Sequence, residues 1–171
     1  MEENSDALVF RDATIEDLPL ITEIYNSTVE SRLVTADTEK VSVESKTEWF
    51  YQHTPHKRPL LIIQNKSGKT VGWLSFQSFY GRPAYDATAE ISLYLHTDFR
   101  SKGLGKKVLF YAIEKAKILH IHNLLGIIFS HNLASVALFR QFEFEEWGVL
   151  PDVAVMDDKP YSVTILGKKI D

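Results

Sequence analysis

The sequence predicts an α/β fold, with a mixed central β-sheet of six to seven strands flanked by about four helices. Three observations carry this. In residues 89–95 the apolar Ala89, Ile91, Leu93 and Leu95 alternate with Glu90, Ser92 and Tyr94, the period of two that marks a strand. A glycine loop follows, and then a helical pattern through Leu104, Val108, Ala112, Ala116 and Leu119. Residues 60–64 and 71–79 are two apolar runs separated by Asn65, Lys66, Ser67, Gly68 and Lys69, a hairpin turn. Hairpins give antiparallel neighbours and crossover helices permit parallel ones, so the sheet is mixed.

The remaining elements follow in order. Leu8, Val9 and Phe10 begin a short strand. Thr14 with Asp17 three residues later makes a loose capping box, and Leu18, Ile21, Ile24, Tyr25 and Val29 continue at helical spacing. Residues 31–41 read as a loop. Ser42 caps a second helix over residues 43–53, which Pro55 and Pro59 end. The loop at residues 80–85 delivers the chain to the strand described first, and the long helix runs to about His120. Residues 124–129 are a continuous apolar strand, residues 133–141 a short helix and residues 144–149 a strand. Residues 151–159 read as a loop and residues 161–166 as the last strand. No internal repeat or linker interrupts the chain, so residues 1–171 are expected to form a single domain.

Composition narrows the function classes. Lys+Arg 19 against Asp+Glu 23 gives a net charge of −4, so no overall basic excess favours nucleic acid or an anionic membrane. There is no cysteine, hence no disulfide, thiolate nucleophile or cysteine-ligated metal. The acidic N-terminus lacks the basic start and apolar run of a signal peptide. No apolar run approaches the roughly 18–20 residues that span a bilayer. These features read as a soluble cytoplasmic protein. His120 and His122 lack a third ligand nearby and are expected at the surface, without metal. Trp49, Trp73 and Trp147 are expected in the core or at an interface, and His131 in a structural role or as a secondary proton carrier.

Against that acidic background, Arg100, Lys102, Lys106 and Lys107 cluster around Gly103 and Gly105. A glycine loop that opens a helix is suited to an anion: unpartnered N–H groups point outward, the helix dipole favours negative charge, and no Cβ bars a close approach. Two common phosphate loops do not fit. Gly-x-x-x-x-Gly-Lys-Ser/Thr lacks its first glycine and its hydroxyl, and Gly-x-Gly-x-x-Gly has Val108 at its third position.

What remains is Arg100-x-x-Gly103-x-Gly105 between a strand and a helix. Further on stands Asn132-x-x-Ser135-x-x-Leu138-Phe139, followed by Phe142, Glu143 and Phe144. These two motifs, in this order, resemble those of the GNAT superfamily of N-acetyltransferases. Residues 9–14 with Asp17, residues 24–29, and Arg82-x-Ala84-Tyr85-Asp86-x-Thr88-Ala89-Glu90-x-Ser92-x-Tyr94 further resemble phosphinothricin N-acetyltransferase-type enzymes. The similarity covers nearly the whole chain and is weakest after Phe144.

The resemblance implies acetyl-CoA as acetyl donor, no metal, and a small-molecule amine as acceptor. It implies a cofactor site made by Leu93, Tyr94, Leu95, Arg100, Ser101, Lys102, Gly103, Leu104, Gly105, Lys106, Asn132 and Ser135. The backbone of Leu93 and Leu95 would pair with the pantetheine arm, residues 100–106 would hold the pyrophosphate, and Asn132 would contact the pantetheine end. Arg82 and Tyr85 would bind the carboxylate or phosphinate of an amino-acid-like acceptor, and the protein would be a homodimer. Glu90 reads either as an exposed strand residue or as the general base that takes a proton from the ammonium group. The family match points to the base.

Four positions depart from the pattern. Phe139 stands where many relatives have a tyrosine that protonates the leaving thiolate, so no general acid is assigned. Glu143 replaces the usual glycine before Phe144, which points to an altered turn. Ala36 and Asp37 replace Phe and Arg, so the acceptor pocket differs. Acetylation of a protein N-terminus or another amine, and non-catalytic acyl-CoA binding, are the alternative functions.

Overall fold

The computed structural model describes residues 7–171. The acidic start on which the signal-peptide reading rests, residues 1–6, lies outside them. Seven strands, β1 (Leu8–Asp12), β2 (Leu60–Asn65), β3 (Thr70–Ser78), β4 (Thr88–Leu95), β5 (Asn123–Phe129), β6 (Glu145–Met156) and β7 (Lys159–Lys169), form one sheet in the order β1-β2-β3-β4-β5-β7-β6. Only β4 and β5 are parallel; the other neighbours are antiparallel. The α-helices among the described residues are α1 (Leu18–Asn26), α2 (Thr47–Tyr51), α3 (Leu104–Ile118) and α4 (Leu133–Gln141). The mixed α/β architecture expected from the sequence is the one observed.

The middle strands are covered on both faces, which explains the unbroken apolar run of β2. Leu61, Ile63, Leu74, Phe76, Ala89 and Ile91 pack with Val108, Leu109 and Ala112 of α3. The alternate residues Leu60, Ile62 and Trp73 pack with Leu18, Ile21, Ile24 and Tyr25 of α1. No helix among the described residues is long and apolar enough to cross a membrane.

The entry to α1 is pinned as its sequence suggests. The Asp17 carboxylate accepts from the Thr14 N–H at 2.8 Å and from both terminal nitrogens of Arg11 at 2.7 Å. These bonds hold the Asp17 carboxyl below its ordinary pKa, the Arg11 bond foremost. The second helix is shorter than expected. Ser42 does accept from the Ser45 N–H at 3.2 Å, but the turn that follows, Glu44–Lys46, is a 3-10 helix with Lys46 N–H bonded to Val43 C=O at 3.0 Å. Only Thr47–Tyr51 is α-helical.

The C-terminal region corrects the sequence reading more substantially. Residues 151–159 are not a loop. They carry the far half of a long β6–β7 hairpin, which turns through Asp157 and Asp158 at φ 49° and 60°. That pair of positive φ values suits a tight two-residue hairpin turn. Pro151 is tolerated because β6 is an edge strand, where no ladder donor is required of it, and because the ladder shifts register between Leu150 and Ala154.

The altered turn expected at Glu143 is also not found. Glu143 adopts φ 63°, the left-handed conformation that glycine favours. Its N–H bonds Arg140 C=O at 3.1 Å, and Phe144 N–H bonds Phe139 C=O at 3.3 Å, closing the end of α4. A residue with a Cβ costs about 1–2 kcal/mol in this conformation. Glu143→Gly is therefore expected to raise the melting temperature by about 2–4 °C, measured by thermal unfolding of the two proteins side by side.

Candidate active site

β4 pairs with β3 along its whole length, from Ala89↔Ser78 to Leu95↔Gly72. With β5 it pairs only at Thr88↔Asn123, Ala89↔Leu124 and Glu90↔Leu125. Beyond Glu90 the two parallel strands separate, and β5 continues against β7. A wedge therefore opens in the middle of the sheet. The His96 N–H donates to Val71 C=O at 2.8 Å, so even-numbered peptide groups of β4 face β3. Those of Ile91, Leu93 and Leu95 face the wedge. The Leu95 carbonyl is already engaged, accepting from Arg100 Nε at 2.9 Å. Leu93 is left as an open strand edge at the centre of the cleft.

A cleft of about 90 Å³ follows the wedge, lined by Ser92, Leu93, Tyr94, Asn132, Ser135 and Phe139 among others. At its far end lies the glycine loop. Gly103 takes φ 74° and caps α3, leaving the first N–H groups of a 15-residue helix without intrahelical partners. Ser101 also takes a left-handed φ of 58°. Lys102 and Lys106 are exposed, and Leu104 is buried beneath them. Two residues do something other than expected. Arg100 turns away from solvent and links Leu95 C=O to Ser27 Oγ, at 2.9 and 2.6 Å, bracing the end of β4 against α1. A Cβ on Gly105 would lie 3.1 Å from Leu138 Cδ2, so this glycine lets α3 approach α4.

Asn132 is 8% exposed, and both ends of its side-chain amide are engaged by protein. Its side chain caps α4 through the Ser135 N–H at 3.2 Å and donates to Leu33 C=O at 3.1 Å. His131 Nε2 donates to Arg32 C=O at 2.7 Å. These two bonds and the Arg32–Asp157 ion pair fasten the loop after α1 over the cleft. His131 is thus a structural tie between β5 and the loop after α1. Phe139 is buried against Phe144 and fills the space that Gly126 leaves open, with no proton to give.

On the opposite face of β3 and β4 lies a second cavity, of about 260 Å³. Tyr25, Lys46, Trp49, Trp73, Ser75, Gln77, Ser92 and Tyr94 line it. Ser92 and Tyr94 thus belong to both hollows, and the two meet on β4. Gln77 stands opposite Glu90 in the β3–β4 ladder, and it also lines a neighbouring 360 Å³ cavity on the same face. Tyr94 stacks on Trp73 with ring centroids 4.4 Å apart, and the Trp73 indole N–H donates to Ile21 C=O at 3.2 Å. Tyr25 Oη bonds Thr35 and the Asp37 carboxylate. Burial foremost, then the Asp37 bond, pushes the Tyr25 phenol up to about 12. Arg82 and Tyr85 stay outside this cavity. They sit in an exposed 3-10 turn, Pro83–Tyr85 and its cap, where Tyr85 packs on Phe79 and Tyr80.

Glu90 is half-buried and, among the described residues, has no hydrogen-bonded or ion-paired partner. Burial raises its pKa above the ordinary 4.5. Sequence reasoning singled out the glycine loop and Glu90 but not Lys46, Ser75 and Gln77, which line the second cavity. Ser75 and Gln77 are alternate residues of a strand, Lys46 comes from a distant turn, and no motif joins them.

Residues 21–144 match the model of the Acetyltransferase (GNAT) family, and the chain belongs to that family. The Bacillus subtilis (strain 168) protein YwnH, provisionally named a phosphinothricin acetyltransferase, is 45% identical over 163 residues, covering 95% of this chain and 99% of its own. The L-methionine sulfoximine/L-methionine sulfone acetyltransferase of Pseudomonas aeruginosa is 30% identical over 161 residues, 94% of each chain. Among solved structures, the provisionally assigned acetyltransferase YncA of Salmonella typhimurium, determined with its cofactor acetyl-CoA, superposes with a TM-score of 0.86. It is 27% identical over 96% of this chain and 95% of that one.

The unpaired Glu90 carboxylate has a consequence for stability. Its raised pKa means that the fold disfavours the ionised form. That cost is absent below the ordinary value of 4.5, grows as pH rises through the raised value, and is fully present above it. Glu90→Gln is therefore expected to raise the melting temperature at pH 8. The gain should shrink as pH falls towards 4.5 in parallel unfolding scans.

Proposed function

We propose that this chain transfers the acetyl group of acetyl-CoA to the primary amine of a small amino-acid-like acceptor, of the phosphinothricin or methionine sulfoximine type. The observation that carries the reading is the meeting of the wedge cleft and the aromatic cavity at Ser92 and Tyr94, two and four residues from an unpartnered carboxylate. The names of the relatives give the acceptor type.

The residues present fit the donor. Leu93 offers an unpaired N–H and C=O that a pantetheine amide can satisfy as an added strand would, with Tyr94, Asn132 and Ser135 walling the arm. Residues 101–106 offer helix N–H groups and the cations Lys102 and Lys106 to a pyrophosphate, while Arg100 holds the loop in place. Acetyl-CoA would supply an activated thioester: the neutral amine nitrogen bonds to its carbonyl carbon, the C–S bond breaks, and CoA leaves as the thiolate, which takes up the second proton lost by the amine nitrogen.

Glu90 is the general base in this reading. An amine is protonated at neutral pH and cannot attack. A half-buried carboxylate with a raised pKa takes that proton, directly or through one water. Transfer is direct, within a ternary complex, since no cysteine is available to carry the acetyl group. Arg82 and Tyr85, at the rim, meet the acceptor carboxylate as it enters. The enzyme acts in the cytoplasm and as a homodimer. An apolar strip on edge strand β6, with Val153 57% and Val155 66% exposed, supports the dimer.

Free CoA release, measured against phosphinothricin, methionine sulfoximine, free amino acids and short peptides, tests the acceptor class. Turnover of peptides alone would overturn it. Glu90→Gln is expected to lower kcat by about 10²-fold or more while acetyl-CoA binding stays within about threefold. The wild-type rate should climb with pH as Glu90 loses its proton, and the variant should lose that limb of the profile. Sedimentation of the protein as a monomer at micromolar concentration would remove the dimer.

A further inference from the structure

The aromatic cavity holds an amine of its own. Lys46, at the end of the 3-10 turn Glu44–Lys46, lines the cavity with its Nζ 4.0 Å from the Tyr25 ring centroid and 5.6 Å from that of Trp49. Of the described residues that line this cavity or the wedge cleft, only Lys46 carries an amino group. Among the described residues it has no carboxylate within ion-pair distance. Asp37, whose charge favours the ammonium form, is engaged by the Tyr25 hydroxyl. Burial acts against the charge and prevails, so Lys46 gives up its proton more readily than an ordinary lysine. A lysine desolvated in this way is a nucleophile, and the chemistry derived above gives it no part.

The β3–β4 register places this amine relative to the reacting centre. Trp73 stands opposite Tyr94, Ser75 opposite Ser92 and Gln77 opposite Glu90, three rungs along one face of the ladder. Lys46 lies at the first rung: Trp49, whose ring its Nζ approaches, packs 5.6 Å from Trp73, and Tyr25 packs 5.3 Å from Tyr94. Ser92 on the second rung belongs to both hollows and adjoins the open edge of Leu93, so a thioester carried along that edge arrives there. Glu90 is on the third. Successive rungs are about 6.5 Å apart. An attacking nitrogen needs to come within about 3.5 Å of a carbonyl carbon, so Nζ has to advance by only about 3 Å. The flexible four-carbon stem of a lysine covers that by a change of rotamer, and it gives up aromatic contacts rather than an ion pair.

We propose that the enzyme acetylates its own Lys46 when acetyl-CoA is bound and no acceptor fills the cavity. The Lys46 ammonium gives one proton to Glu90 by way of water. The free Nζ bonds to the thioester carbonyl carbon, the C–S bond breaks, and the departing thiolate takes the second proton that the nitrogen loses. The product is a neutral amide, and the cavity loses its cation. This rests on the acetyl-CoA site and the Glu90 base of the reading above, but not on its acceptor class.

The test incubates the purified protein with acetyl-CoA and no acceptor, and follows it by intact mass and peptide mapping. The expected result is one acetyl group per chain, mapped to Lys46, at a rate independent of protein concentration. Glu90→Gln should slow the modification by about tenfold or more, and Lys46→Arg should abolish the gain in mass. The exposed Lys102 and Lys106 report the spontaneous reaction with acetyl-CoA. No modification, acetylation of those lysines as fast as of Lys46, or a Lys46 rate that Glu90→Gln leaves unchanged would overturn the inference. Free CoA release against a panel of amines, run in parallel, separates it from the acceptor reading. Turnover of an acceptor by a protein that leaves Lys46 unmodified overturns the inference alone. Acetylation of Lys46 by a protein that refuses every acceptor sustains it and overturns the acceptor reading alone.

Discussion

The separation of β4 from β5 after three paired residues is the constraint on which the site depends. Two parallel strands in the middle of a sheet ordinarily bury every peptide group of both. Here the ladder stops at Glu90↔Leu125, and the peptide groups of Leu93 are left facing a gap. That arrangement is stable only if the strands are held apart by something else. β3 holds β4 to its last residue, β7 holds β5 to its last residue, and Phe139 and Leu138 of α4 line the gap between them. Arg100 finishes the task by occupying the Leu95 carbonyl and anchoring it to Ser27.

Much of this was legible in the sequence, because the features concerned are local. The alternation in residues 89–95, the hairpin turn at residues 65–69 and the glycine loop each declare themselves within ten residues. Glu90 was legible by its position in a motif, but its burial was not, because the alternation around it gives it the polar face and the cover on that face comes from remote segments. The losses come from long-range pairing. Residues 151–159 looked like a loop because Pro151 and two aspartates break a strand pattern; that β6 is an edge strand is a property of the whole sheet. Glu143 looked like a disruption, yet the closing hydrogen bonds of α4 impose the turn on whichever residue stands there. Asn132 and Arg100 stood out by their motifs, but their side chains are committed to Leu33, Leu95 and Ser27, contacts that no motif announces.

The aromatic cavity shows the same limit. Trp49 and Trp73 read as core residues, and both do pack in the core on the α1 face. They also wall the hollow. Tyr25, expected only as an apolar helix position, instead organises Thr35 and Asp37 of the loop after α1. The cavity is composite, made by α1, the turn before α2, α2 itself, β3 and β4, and its chemistry became visible only when those five came together.

The pleat of β4 divides labour in a way that bears on how such a protein can change over generations. The wedge is written mostly in main chain: an open strand edge, helix N–H groups and a glycine in a left-handed turn. Main chain is indifferent to most substitutions but intolerant of insertion, because adding one residue to β4 would turn Glu90 inward and rotate Leu93 out of the gap. The aromatic cavity is written in side chains from separate segments, each replaceable alone. Lineages sharing this scaffold are thus free to reshape the cavity by single substitutions, while the wedge keeps a geometry that few single substitutions reach.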